Sequence, residues 1–446
     1  MSAIKSPVRI LIVGGGYVGM YTALRLQRKL GPGRAEITVV DPQPNMTYQP
    51  FLPEAAAGSV EPRHVVVPLR RVLRKCRVVT GAVTHVEHAT RTATIEPPET
   101  EPYQVQYDLL VMCPGSVSRL LPIPGLAEHG IGFKTIGEAI YLRNHVLARL
   151  DLASSTDDAE RRRKALTFVF VGGGYAGVEA LAELQDMARY ATRYYDGVTP
   201  EDMRWVLVEA AGRIMPEVSI GLAQYTVERL QERNIDVRLD TRLDSVEGGH
   251  VKLSDGEQFD AETIVWTAGV KSHPMLANTD LPRDDKGRLP CHANLTLRDV
   301  DGVFSAGDCA AVPDLSKKDD PTALTGPSAQ HAVRQAKVLA RNIVATVKGN
   351  ALKDYEHKYV GSVASLGLYR GVADVYGIKL RGIIAWFMHR TYHVSRMPTF
   401  NRKVRVLADW TAALFFRREI VSLGQLQMPR TEFEVAAGKR LDQGAP

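Results

Sequence analysis

Two copies of one glycine pattern, each entered from an apolar run, constrain this chain more than any other feature. Arg9-Ile10-Leu11-Ile12-Val13 leads into Gly14-Gly15-Gly16-Tyr17-Val18-Gly19, and Leu166-Thr167-Phe168-Val169-Phe170-Val171 leads into Gly172-Gly173-Gly174-Tyr175-Ala176-Gly177. A strand turning through G-x-G-x-x-G into a helix sets a pyrophosphate on the helix N-terminus, where unpaired N–H groups and the helix dipole favour an anion. One copy is a weak signal, because such turns also serve tight strand-to-helix packing. Two copies imply two dinucleotides, one at Gly14, Gly15, Gly16 and Gly19 and one at Gly172, Gly174 and Gly177.

An acid follows each copy where a ribose would need one. Ile37-Thr38-Val39-Val40 reads as a second strand ending on Asp41, and Trp205-Val206-Leu207-Val208 ends on Glu209. A carboxylate there accepts hydrogen bonds from ribose hydroxyls and repels a 2′-phosphate, so the second site is expected to prefer NADH to NADPH. Arg213 lies close enough in sequence to weaken that preference. The longer gap before Glu209 is explained by a helix over about 175–195 and a loop through Asp196-Gly197-Val198-Thr199-Pro200.

The repeat extends beyond the glycines. In the first half a strand 78–86, containing Val83, is followed by a hairpin around Glu96-Pro97-Pro98. A strand 107–112 then ends at the tight turn Cys113-Pro114-Gly115. In the second half a strand 237–239, a hairpin 251–257 and a strand 263–266 end at Thr267-Ala268-Gly269. Duplication of a whole nucleotide-binding unit is the simplest reading. Between the halves, residues 154–164 read as a polar surface loop. A later strand, Val303-Phe304-Ser305, ends in Gly307-Asp308 ahead of a helix starting near Ser328, which puts a carboxylate where a cofactor hydroxyl is bound.

Composition narrows the rest. A chain of 446 residues suits two or three domains. It contains no run of about 20 apolar residues, the length a spanning helix requires, and no long apolar run precedes the first strand, so an intracellular location is expected. Cys76, Cys113, Cys291 and Cys309 form no C-x-x-C pair, which argues against a redox dithiol beside a flavin and favours buried structural thiols. No histidine spacing suggests a metal site.

Taken in order, the fingerprint, Asp41, Pro114-Gly115, the second fingerprint, Glu209, Thr267-Ala268-Gly269 and Gly307-Asp308 resemble the two-dinucleotide flavoprotein reductases over about residues 8–345. The resemblance implies an α/β fold of two Rossmann-like domains, the second inserted in the first. FAD would be held by 1–125 with 286–370, and NADH by 126–285. It assigns Gly14, Gly15, Gly16, Gly19, Asp41, Val83, Pro114, Gly115, Gly307, Asp308 and Gln330 to the flavin side, and Gly172, Gly174, Gly177, Glu209 and Gly269 to NADH.

Within that superfamily the chain is similar to the type II NADH:quinone oxidoreductases, which do not pump protons. Three segments carry the likeness: Tyr48-Gln49-Pro50-Phe51-Leu52 with Ala56-Ala57-Gly58 and Pro68-Leu69-Arg70, the stretch Ala329-Gln330-His331-Ala332-Val333-Arg334-Gln335, and Gly177-Val178-Glu179. Tyr175-Ala176 and Ala57 depart from the Pro-Thr and Thr of many members. The resemblance implies hydride transfer from nicotinamide C4 to flavin N5, then reduction of ubiquinone or menaquinone. Gln330, His331 and Gln335 would lie at the quinone, and Glu179 and Gln330 would be the catalytic groups. A glutamine amide suits a quinone carbonyl because it both donates and accepts. Hydride transfer itself needs proximity, at about 3 to 3.5 Å, more than an acid or base.

The C-terminal segment 371–446 adds an independent reading. From Lys379 to Arg418 there are nine Lys or Arg against one acid, Asp409, which exceeds the whole chain's net +6. Leu380, Ile383, Ile384, Phe387 and Met388 recur at helical spacing, and Leu407, Trp410, Leu414 and Phe415 form a second apolar stripe flanked by Arg402, Lys403, Arg405, Arg417 and Arg418. Basic amphipathic helices of this kind suit the cytoplasmic face of a membrane as a peripheral attachment. The same pattern suits helices docked on the body or forming a homodimer interface. No nucleic-acid motif accompanies the basic residues. Two other functions fit the fold: a soluble NADH-dependent reductase of ferredoxin or another acceptor, and a flavin- and NADH-binding signalling protein.

Overall fold

A computed structural model describes residues 7–31, 33–357, 361–416, 418–422 and 436. Contacts gather the chain into two units: Met1–Tyr48, Val66–Arg119 and Gly269–Val360 form the first, and Gln49–Val65, Leu120–Ala268 and Gly361–Pro446 the second. The sequence placed boundaries at 125, 285 and 370. The contacts group 269–285 with the first unit and the tail with the second.

The first unit is built on a five-stranded parallel sheet in the order Val303–Ser305, Leu109–Met112, Val8–Val13, Ala35–Asp41, Arg77–Thr80. The fingerprint strand Val8–Val13 lies in the centre and pairs in parallel on both sides. A strand covered on both faces must be apolar throughout, and Ile10 to Val13 are all buried. The helices Tyr17–Lys29 and Ala329–Lys348 pack together on the sheet. The single strand expected over 78–86 is divided at Gly81. Arg77–Thr80 joins the parallel sheet, and Ala82–Glu87 opens an antiparallel meander with Thr92–Glu96 and Tyr103–Gln106. The backbone turns where Gly81 lies so close to its neighbours that a Cβ would stand 3.0 Å from the Glu96 carbonyl oxygen.

The second unit repeats the plan. Its parallel sheet runs Gly130–Gly132, Thr263–Trp266, Thr167–Val171, Arg204–Val208, Ile235–Arg238, again with the fingerprint strand central, and it carries its own meander 243–260. The rings of Phe168 and Trp205 stack at 4.3 Å in its core. One strand is wired differently: Gly130–Gly132 precedes its fingerprint, whereas Val303–Ser305 follows the fingerprint of its own sheet. The helix after the second fingerprint ends at Ala191 and continues as a 3-10 turn to Tyr194. The stretch expected as a loop over 154–164 contains a helix, Ala159–Ala165, because the Asp158 carboxylate accepts the N–H groups of Glu160 and Arg161.

The tail adds an antiparallel sheet, Gly361–Ser365, Gly371–Val375 and Ile378–Arg381, followed by helices Gly382–Arg396 and Phe400–Phe415. Both helices stand where their periodicity placed them, but their burial is inverted. Ile383, Ile384 and Phe387 are 59–63% exposed, while Trp386, His389 and Arg390 face inward. Trp410, read as part of the apolar stripe, also turns inward and hydrogen-bonds Glu54. Arg417 and residues 423–435 and 437–446 lie outside the described residues. Among the described residues no helix is long and apolar enough to cross a membrane.

Candidate functional site

In the first unit the strand Val8–Val13 delivers the fingerprint to the start of the Tyr17–Lys29 helix. Gly19 packs directly on the turn, since a Cβ there would lie 1.8 Å from the Gly14 carbonyl oxygen. Beside Gly16 and Gly115 the space is open to 4 Å. Asp41 accepts the Gly15 N–H on Oδ2 at 2.6 Å and the Gln43 N–H on Oδ1 at 2.7 Å. Burial raises its carboxyl and these two N–H groups offset that. The Asp308 carboxylate accepts the Ser116 hydroxyl at 2.6 Å, which ties the Gly307-Asp308 turn to the strand end after Pro114-Gly115. Val83 is buried in the meander, paired with Ile95. An open glycine turn at a helix start, with two flanking carboxylates, fits the pyrophosphate and ribose of a dinucleotide such as FAD.

The second unit contains the same device. Glu209 accepts the Gly173 N–H on Oε2 at 2.6 Å and the Ala211 N–H on Oε1 at 2.8 Å, matching Asp41 atom for atom. A Cβ on Gly177 would lie 2.0 Å from the Gly172 carbonyl oxygen, and the space beside Gly174 is open. Arg213 donates to the carbonyl oxygens of Pro216 and Val218 at 2.5 and 2.7 Å. That guanidinium nitrogen is occupied by backbone, which favours the non-phosphorylated dinucleotide. Gly269, assigned to the NADH side from sequence, groups with the first unit, where its carbonyl accepts the Arg119 N–H.

The residues of the Ala329–Lys348 helix part company. Gln335 is buried, its Oε1 accepting the Gly307 N–H at 2.7 Å and its Nε2 donating to the Thr325 hydroxyl at 3.2 Å. The Oε1 end of that amide holds the Gly307-Asp308 turn, and the Nε2 end ties it to Thr325. Gln330 is half-buried one and a half turns earlier, and Arg334 donates to its Oε1 at 2.8 Å. His331 meets the Tyr355 hydroxyl at 2.8 Å through Nδ1. Burial lowers the imidazole of His331 and pushes the Tyr355 phenol up to about 12.

Glu179 stands on the first turns of the Tyr175–Ala191 helix and is buried. Its Oε1 accepts the Ser365 N–H at 2.8 Å and lies 3.2 Å from His389 Nε2. Burial, then the neighbouring His389, hold His393 well below the usual imidazole range. One turn along the helix, Glu183 pairs with Arg418 at 2.8 Å. Glu54 pairs with Arg390 at 3.0 Å and accepts Trp410 Nε1 at 2.8 Å. Sequence reasoning named Glu179 but missed Glu54, Glu183, Ser365, His389 and Arg390. The available signal was an acid inside an apolar helical run, Ala180-Leu181-Ala182-Glu183-Leu184, since a buried acid needs a partner.

Comparison with known proteins agrees with this geometry. The pyridine nucleotide-disulphide oxidoreductase family matches residues 8–336, and the NDH2 C-terminal domain matches 359–419. The type II NADH:quinone oxidoreductase of Staphylococcus aureus (strain NCTC 8325) is 30% identical over 388 residues, covering 86% of this chain and 93% of that protein. The corresponding Mycobacterium tuberculosis enzyme is 28% identical over 98% of this chain and 93% of its own length. The structure of NDH2 from Plasmodium falciparum in complex with NADH superposes with a TM-score of 0.85 at 17% identity, covering 93% of this chain and 99% of that one. Similarity at that identity speaks for the fold, whereas the family match and the Staphylococcus relative speak for descent. The chain belongs to the pyridine nucleotide-disulphide oxidoreductases and, among them, to the type II NADH:quinone oxidoreductases.

Proposed function

We infer that this chain oxidises NADH and reduces a quinone, with FAD resident on the first unit and NADH exchanging on the second. The observation that carries the reading is the repeated cradle, one open glycine turn with its own acid in each unit. When bound there, FAD would supply the redox chemistry, taking up hydride from NADH and passing two electrons to a quinone. The chain's own residues bind and orient. Asp41 and Asp308 hold the flavin side, Glu209 selects NADH over NADPH, and Gln335 keeps the Gly307-Asp308 turn in place. Gln330, its Oε1 held by Arg334, orients the quinone, with His331 beside it.

Quinone reduction to the quinol also takes up two protons. Glu179 is assigned to hand on one of them and to regain it from water. Replacing Glu179 by Gln is expected to leave flavin reduction by NADH within about twofold and to slow flavin reoxidation by a quinone analogue by about 10²-fold, the usual scale for losing a general acid. Stopped-flow absorbance of the flavin separates the two steps. Equal slowing of both would remove Glu179 from the quinone step.

The tail supports a lipid-borne acceptor over a soluble one. Ile383, Ile384, Phe387, Phe400, Leu414 and Phe415 all face outward at 59–82% exposure. Arg381, Arg402, Lys403 and Arg405 lie along the same elements. Apolar side chains beside basic ones dock a protein on an anionic bilayer surface, each cation adding roughly 1 kcal/mol. We place the enzyme there as a peripheral protein on the cytoplasmic face. Changing Ile383, Ile384 and Phe387 together to Ser is expected to abolish flotation with anionic vesicles while leaving turnover with a soluble quinone analogue unchanged. Retained flotation would move the attachment elsewhere.

A further inference from the structure

A second carboxylate stands at the ribose end of the cradle that carries Glu209. The strand Arg204–Val208 runs into the loop Glu209-Ala210-Ala211-Gly212-Arg213, and main-chain hydrogen bonds fix this loop on two sides. The Met215 N–H donates to the Gly173 carbonyl at 2.8 Å, which folds the loop back on the fingerprint turn. On the other side, the chain leaving the strand Ile235–Arg238 sets the Asp240 N–H on the Ala211 carbonyl at 3.1 Å and the Thr241 N–H on the Glu209 carbonyl at 3.0 Å. That register brings the Asp240 side chain over Gly212, where a Cβ would lie 3.2 Å from Oδ1 and 3.3 Å from Oδ2. Glu209 and Asp240 thus flank the Ala211-Gly212 step from its two ends.

The two acids are not equivalent. Each oxygen of Glu209 accepts a main-chain N–H, from Gly173 and from Ala211, which leaves lone pairs for ribose hydroxyls and offsets part of its charge. Asp240 is exposed, and among the described residues nothing donates to its carboxylate. Its φ of +50° is left-handed, a conformation that Asp and Asn adopt more readily than other side chains. Two cations of these segments are turned to other groups. Arg213 Nη2 is on the Pro216 and Val218 carbonyls, and Arg238 is on Asp236 at 2.8 Å and Glu257 at 2.7 Å.

We propose that Asp240 is a specificity-determining residue of the second cradle: it excludes NADPH by repelling the 2′-phosphate, while Glu209 holds the ribose of NADH. The proposal rests on the placement of NADH at Glu209. A ribose there directs its 2′ position at the strand end and the loop that follows it. A phosphate at that position carries nearly two negative charges at neutral pH and needs cations or N–H donors from the loop. Here the Ala211 N–H is already taken by Glu209, Arg213 Nη2 is held by backbone, and the Asp240 carboxylate covers the approach to Gly212. Selection is therefore divided between two acids, and removing the charge of Glu209 alone does not open the cradle to NADPH.

The test uses the full-length flavoprotein and follows flavin absorbance during reduction by NADH and by NADPH, read as second-order rate constants so that the acceptor plays no part. In Asp240→Asn the NADPH-to-NADH ratio is expected to rise about tenfold, through the NADPH constant, the scale on which one surface charge acts on a nearby dianion. Asparagine keeps the side-chain shape and suits the left-handed φ, so the change reports charge. Asp240→Gly, which also accepts that φ, is expected to give the same rise and serves if the asparagine variant does not fold. Glu209→Gln is expected to slow reduction by NADH about tenfold, the scale of one charge-assisted hydrogen bond, and to leave NADPH the poorer donor. An unmoved ratio in Asp240→Asn, or in Asp240→Gly where that variant stands in, overturns the proposal, and a fall of both constants together counts as an unmoved ratio. NADPH overtaking NADH in Glu209→Gln alone overturns it as well, since Glu209 would then carry the whole selection. If Glu209→Gln leaves reduction by NADH unchanged, the placement of NADH at Glu209 has failed, a different result from an unmoved ratio with Glu209→Gln impaired.

Discussion

Gly19→Ala is expected to yield protein without flavin that melts well below wild type, whereas Gly16→Ala is expected to fold normally and only bind flavin less tightly. The two glycines belong to one motif, but their surroundings are opposite. A Cβ on Gly19 would stand 1.8 Å from the Gly14 carbonyl oxygen, a main-chain atom that cannot swing aside. The Tyr17–Lys29 helix must then lift from the turn, at the about 1–3 kcal/mol or more that overpacking costs. The N–H groups that would meet a pyrophosphate move with it. Beside Gly16 a Cβ meets no protein atom within 4 Å, so the fold has no reason to change. The methyl instead occupies space needed for close approach of the cofactor, and a tenfold weaker affinity corresponds to about 1.4 kcal/mol. Flavin-to-protein absorbance after purification, and melting with and without added FAD, distinguish the two. Because a ligand stabilises only what binds it, added FAD should raise the melting temperature of Gly16→Ala and leave Gly19→Ala unmoved. Identical behaviour of the two variants would mean that the turn does not approach a cofactor at Gly16.

What could be read from the chain beforehand followed from how local each signal is. The two strand-turn-helix units are continuous in sequence, so Gly14 to Gly19, Asp41, Gly172 to Gly177 and Glu209 announced both cradles. The break at Gly81 was not visible, because Val78 to Val86 is apolar enough to pass for one strand and only the Glu96 carbonyl, brought back by a hairpin, forces the bend. The Asp158 cap was legible in principle, yet a charged run without apolar periodicity reads as loop. The partners of Glu179 were out of reach for a different reason. Ser365 and His389, and the Arg418 that meets Glu183 one turn on, come from the far end of the chain, and no periodicity links them to the helix they meet. Helical spacing located the apolar stripe of the tail, except that Trp410 turns inward to Glu54. It could not say that the stripe faces outward, because that depends on the body offering carboxylates to the opposite side.

That inverted tail leads to the largest stability effect. Arg390→Leu is expected to destabilise the protein by about 3–5 kcal/mol, the usual cost of leaving one member of a buried ion pair without its partner. Glu54 is 1% exposed and Arg390 9% at the side chain, with Nη2 to Oε2 at 3.0 Å. The guanidinium also lies 4.1 Å from the Trp386 ring centre and 4.7 Å from that of Trp410, and Trp410 Nε1 donates to the same Glu54 oxygen at 2.8 Å. One arginine thus joins both tail helices to the Leu52–Ala56 helix. The double variant Glu54→Gln with Arg390→Leu is expected to recover much of the loss, since no unpaired charge remains in the interior. Thermal melts of the wild type, the two single variants and the double close the cycle. At about 2–4 °C per kcal/mol for a unit of this size, the Arg390→Leu shift is on the order of 10 °C. A double variant as unstable as Arg390→Leu alone would show that the arginine acts by packing between the indoles and not by neutralising Glu54. The arrangement follows from the outward stripe. Helices that turn Ile383, Ile384, Phe387 and Leu414 to the outside have few apolar residues left with which to hold the body. Inward contact then falls to groups that bind by charge and hydrogen bond, with Arg390 on Glu54, Asp409 on His64 at 2.6 Å and Arg418 on Glu183. Loss of Arg390 or Arg418 leaves a buried carboxylate without its cation, and Arg390 is the one whose removal also opens a gap between two tryptophans.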